Sequence, residues 1–119
     1  MTKAVSYPMD RKAKLIGETV TVEGQLKELS IEGVGVESPV KAKLGTRLQV
    51  AFEIPALEYF QNLSLYGLVT HIHNISSGFY LGIEFEVLTP REKRILEDFL
   101  EYKKRLHKQG LHHFKPAGE

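Results

Sequence analysis

His71 and His73 stand two apart in "LVTHIHNI", and in an extended strand that spacing turns both imidazoles to the same side, a pattern able to hold a metal. Two ligands do not complete a site. The chain has no cysteine, so further ligands would have to be glutamates or His107, His112 and His113 near the C-terminus; the pair is read as surface or rim residues and no metal is expected. Glu84 and Glu86 alternate in "FYLGIEFEVL", which describes the solvated face of a strand better than a general acid and base. Ser30 has no histidine near it in sequence, and neither a G-x-S-x-G elbow, a P-loop nor a dinucleotide fingerprint occurs. No catalytic residue and no enzyme activity are therefore expected. What remains is Ser30 and Gly33 in "LKELSIEGVGVES", three apart between two strand-like stretches. Either the serine caps a turn and the glycine supplies an unusual backbone angle, or a ligand rests against the backbone there.

The elements that position these residues are mostly strands. "TVTVEGQLKEL" alternates from Thr19 through Leu26 and reads as strand, turn or bulge at Gly24, strand. "GVGVES" resumes a short strand that Pro39 ends. After a turn at Gly45, Leu48, Val50, Phe52 and Ile54 alternate. "PALEYFQN" reads as a loop or single helical turn, and "LSLYGLVTHIHNI" as a long strand in which Gly67 marks a bulge or barrel bend. "SSG" then turns the chain into "FYLGIEFEVL". At "LTPREKRILEDFLEYKKRLHK" the period changes: Thr89 is placed as N-cap, Pro90 as the first helical residue and Glu92 as the partner in a capping box. Gly110 is expected to end this helix. Ile95, Phe99, Tyr102 and Leu106 follow a 4-3-4 spacing, which fits a helix laid on a barrel or a short self-association seam. Short antiparallel strands followed by one helix predict a mainly β protein, a small antiparallel barrel with the helix packed on it.

Length and composition fit one soluble domain: 119 residues, 42% hydrophobic and 26% charged. The absence of cysteine suits a reducing compartment, and no signal-like or membrane-spanning apolar run is present, so a cytoplasmic location is expected. Charge is uneven. Residues 17–88 carry four bases against nine acids, whereas both flanks are basic. An anionic ligand is expected at an end, or where an end folds onto the body. A single-stranded nucleic-acid binder using Tyr66, Phe79 and Tyr80 is the alternative, but the acidic middle lies where such a protein concentrates its cations.

The order of elements, with "ELSIEG", "LGTRLQVAFEIP", "LYGLVTHI" and "LGIEFEVLTPREKRILEDFL", resembles the PilZ domain, the bacterial receptor module for cyclic-di-GMP, over roughly residues 11–106. That resemblance implies a six-stranded barrel over residues 11–108, with tails at 1–10 and 109–119. It also implies a D/N-x-S-x-x-G ligand motif at Ser30 and Gly33, with Glu28 where Asp or Asn usually stands. The family's arginine pair, R-x-x-x-R, is incomplete in "DRKAKL": Arg11 fits the first position, Leu15 occupies the second, and Lys14 falls one short. A lysine is a point charge and does not replace a planar guanidinium fork at a stacked, bidentate site. The resemblance thus names Arg11, Lys12, Lys14, Glu28, Ser30 and Gly33 as the ligand set for cyclic-di-GMP. It implies weakened or absent binding, a basic arm at Arg11 to Lys14 folding over the Glu28–Gly33 turn, and a protein partner of unknown identity in the control of motility or biofilm formation.

Overall fold

A computed structural model describes residues 4–117, with side chains as far as Leu106. Six strands precede one helix: β1 Tyr7–Ile16, β2 Thr21–Leu29, β3 Gly33–Ser38, β4 Arg47–Ala56, β5 Tyr59–Ile75, β6 Gly78–Phe85 and α1 Pro90–Ala117. All strand pairs are antiparallel, and the order β1-β2-β3-β6-β5-β4 closes on itself where Lys14–Ile16 of β1 meet Gln49–Ala51 of β4. Closure removes the free edges that would otherwise invite pairing with another chain. The expected mainly β, six-stranded fold with a C-terminal helix is the observed one.

The period-two pattern explains which face turns inward. Leu48, Val50, Phe52, Ile54 and Ala56 of β4 are buried, as are Leu63, Leu65 and Val69 of β5 and Leu81 and Ile83 of β6. From α1 the residues Ile95, Leu96 and Phe99 join this core, against β4 and β1. The capping box forms as the sequence predicts: the Glu92 N–H donates to Thr89 Oγ1 at 3.1 Å, and the Thr89 N–H to Glu92 Oε1 at 2.9 Å.

Several local expectations give way to tertiary structure. Gly24 does not interrupt β2, which runs continuously with an irregularity between Leu26 and Glu28. Gly67 lies inside an unbroken β5; the bulge falls between Val69 and His71. "PALEYFQN" is neither loop nor helical turn but a tight hairpin, because Leu57 and Glu58 both take left-handed angles, φ 53° and 73°. The Leu57 N–H donates to Asp98 Oδ2 of α1 at 2.8 Å, which fastens that hairpin to the helix. The helix continues past Gly110 to Ala117, since one glycine costs a helix only about 1 kcal/mol. β1 begins at Tyr7, where Tyr7 and Pro8 pair with Leu29 and Glu28, so Tyr7–Asp10 belong to the sheet and not to a tail.

Candidate ligand groove

Ser30 and Gly33 make a tight connection between β2 and β3. The Ser30 hydroxyl accepts hydrogen bonds from the Glu32 and Gly33 N–H groups, each at 3.1 Å, while the Ser30 N–H donates to the Gly33 carbonyl at 2.9 Å. The serine is thus a turn-forming residue of the kind the sequence admits. Gly33 is glycine for a different reason from the one expected. It does not adopt a left-handed angle; a Cβ there would collide with the Ile83 backbone carbonyl, because β3 and β6 approach closely.

Beyond this turn the outer wall carries a second close approach. Gly35 of β3 is the Cα partner of both Glu28 on β2 and Gly82 on β6. Neither glycine has a side chain to project, so the Tyr80 ring lies down across Gly35, where a Cβ would strike its hydroxyl and ring carbon. The Tyr80 hydroxyl there donates to Glu28 Oε2. Glu28 Oε1 accepts a second bond, from Ser6 Oγ at 2.7 Å. Hydrogen bonding by Tyr80, then by Ser6, holds the Glu28 carboxyl below its ordinary range. Burial first, and the adjacent Glu28 second, push the Tyr80 phenol upward. His73 packs obliquely on Tyr80 with ring centroids 6.3 Å apart, and His71 stands over Gly82 with Nδ1 3.1 Å from Thr70 Oγ1.

These groups surround a groove of about 440 Å³ that reaches from Ala4 and Ser6 over the Ser30–Gly33 turn to His71 and His73. It brings together Glu28, Ser30 and Gly33 of the expected set. It does not bring in Arg11, Lys12 or Lys14. All three lie on β1, paired with β2 residues Leu26, Gln25 and Glu23, so the segment expected to be a mobile arm is a strand. The Arg11 guanidinium donates to the Glu53 carbonyl at 3.4 Å, and Lys12 and Lys14 border a separate depression with Glu23 and Glu53. Among the described residues the groove is lined by three carboxylates, Glu28, Glu32 and Glu84, and by no lysine or arginine. Sequence reasoning missed the latch of Ser6, Glu28 and Tyr80. Its signal was the pairing of "GVG" with "YLG", glycines that leave room for an aromatic ring on the same face.

Among the described residues no group of three or more His, Asp or Glu could hold a metal ion, and no helix is long and apolar enough to cross a membrane. The fold and site together define a class: a small closed β-barrel with one helix and a ligand-sized groove on its outer wall above the β2–β3 turn. The PilZ domain family matches the chain over residues 3–102. The chain belongs to the PilZ domain family, whose signalling is tied to cyclic-di-GMP. Solved structures of similar fold include the Bacillus subtilis Inhibitor of motility (MotI/DgrA), with TM-score 0.76 and 15% identity over 92% of this chain. YcgR from Escherichia coli, in complex with c-di-GMP, has TM-score 0.73 and 13% identity over 96% of this chain. The PilZ domain of CeSA from a cellulose-synthesizing bacterium has TM-score 0.59 and 15% identity, with 87% of this chain and 99% of that one covered. This chain spans 52% of the MotI structure and 50% of the YcgR structure. No curated protein matches it.

Proposed function

We propose that this chain is a non-catalytic, cytoplasmic PilZ-type signalling module that acts by binding a partner protein, with cyclic-di-GMP binding weakened or absent. One observation carries the reading: the groove over the β2–β3 turn presents three carboxylates and, among the described residues, no cation to a ligand that carries two phosphates. The latch adds to it. Glu28 is already engaged on both oxygens by Ser6 and Tyr80, and the Tyr80 ring lies on the glycine floor where a flat base would otherwise rest. A dinucleotide entering the groove must displace that ring and desolvate a carboxylate beside its own charge, and both steps lower affinity. The likeness to an inhibitor of motility and to YcgR supports an output in motility or surface attachment. The exposed Tyr102 and Leu106 on α1 are the residues through which self-association would run.

Titration calorimetry with cyclic-di-GMP at low and moderate salt tests the proposal. The expected result is little or no heat, and no change on Arg11→Ala, because that side chain lies against β4. Tight binding abolished by Arg11→Ala would overturn it. Salt-sensitive binding of a single-stranded oligonucleotide in place of the dinucleotide would favour a nucleic-acid module instead.

A further inference from the structure

The other end of the barrel carries a second cavity with different chemistry. β4 ends at the helix, through the Leu57–Asp98 hydrogen bond, and begins at this cavity, which lies between the β1–β2 turn and the 39–46 connection. The cavity measures about 330 Å³, within the size range of small-molecule pockets. Its wall reaches the core side chains Leu15, Leu48 and Leu81. At the entrance Val20 and Val40 remain 52% and 46% exposed, although each borders an apolar interior.

The polar side chain beside the core end of this wall, Ser38, has partners of its own. The Ser38 hydroxyl donates to the Val40 carbonyl at 2.7 Å and accepts from the Val40 N–H at 3.0 Å, so its proton is already committed. The rim is preformed: the Gly17 N–H donates to the Val20 carbonyl at 2.7 Å, and Gly45 and Thr46 exchange hydrogen bonds with Val69 at 2.7 and 2.9 Å. Charge at the entrance is of the opposite kind to that of the groove on the outer wall. Lys41 and Lys43 flank Ala42 at the opening, both exposed and without an ion-pair partner among the described residues, against the single acid Glu18.

We propose that this barrel mouth binds a single-chain amphipathic carboxylate, a medium-chain fatty acid in chemical class, with its alkyl chain on Leu15, Leu48 and Leu81 and its carboxylate at Lys41 and Lys43. The leucines at the base of the wall select a hydrocarbon tail over the threonine hydroxyls of Thr19 and Thr46 nearer the opening, and a lysine rim selects an anionic head. A carboxylate held by two water-facing ammonium groups keeps much of its hydration, so the tail supplies most of the affinity and the head supplies the preference.

Calorimetry and amide chemical-shift mapping with octanoate and decanoate, both below their micelle concentrations, test this. Decanoate is expected to bind roughly fifteen-fold more tightly than octanoate, two more methylenes entering the pocket, with shifts confined to residues around Val20, Val40 and Leu48. Lys41→Glu with Lys43→Glu, exposed positions that carry no packing, is expected to weaken decanoate at least ten-fold. Ala42→Phe, which fills the entrance beside the core, is expected to abolish binding while the amide shifts around Glu28 and Tyr80 stay those of the parent. Equal affinity for decyltrimethylammonium, an unchanged affinity in the double lysine variant, or binding only to anionic vesicles would each overturn the assignment, as would shifts centred on Glu28 and Tyr80.

Discussion

Removing the Tyr80 hydroxyl tests the latch at its centre. In Tyr80→Phe the ring still covers Gly35, but the carboxylate of Glu28 retains only the bond from Ser6. A hydrogen bond to a charged group is worth about 1.5–3 kcal/mol in a sheltered setting. Glu28 is only partly sheltered and Tyr80 half-buried, so screening reduces this to about 1 kcal/mol. For a domain of this size that corresponds to a fall of about 4 °C in the unfolding midpoint. A double-mutant cycle with Glu28→Gln, read by urea or thermal unfolding, isolates the pair and is expected to return a coupling of about 1 kcal/mol near neutral pH. The pH dependence has a definite sign. Because hydrogen bonding by Tyr80, then Ser6, holds the folded-state carboxyl below its ordinary value, the stabilisation is complete above the usual carboxylate range and is lost as pH falls through the lowered folded value. The difference between parent and Tyr80→Phe is therefore expected to shrink on going from about pH 7 to about pH 3. A coupling below about 0.3 kcal/mol, or a difference that persists unchanged in acid, would refute the reasoning.

Gly35→Ala places a methyl group where the Tyr80 hydroxyl and ring lie, and is expected to cost about 1–3 kcal/mol and to erase the Tyr80–Glu28 coupling when the cycle is repeated in that background. Glu58→Gly relieves a left-handed angle of 73° at an exposed hairpin position and is expected to raise stability by about 1 kcal/mol in chemical denaturation. Thr89→Ala removes the side-chain acceptor from the Glu92 N–H, with an expected loss of about 1 kcal/mol by the same measurement.

Alternation along "RLQVAFEI" and "FYLGIEF", and the T-P-R-E start of the helix, are local signals, and each element they announce is present, because side-chain direction in a strand and capping at a helix start depend on neighbours a few residues away. The turn chemistry of Ser30 is local in the same way, since its hydroxyl reaches N–H groups two and three residues on. The order of the barrel and everything on its outer wall were decided only by tertiary structure. Glu28, Gly35, Gly82 and His71 come from four different strands and meet through register, and a one-residue slip would turn each to the other face. Register also separated Arg11 from the groove, by making its segment a paired strand where the sequence suggested an arm. The residue types at Ser30 and Gly33 were thus enough to locate the turn, while the family was suggested only by the order of elements together with the four stretches quoted. The close packing of β3 on β6 decided why one of them is glycine, and brought Tyr80, 52 residues from Glu28 along the chain, to that carboxylate.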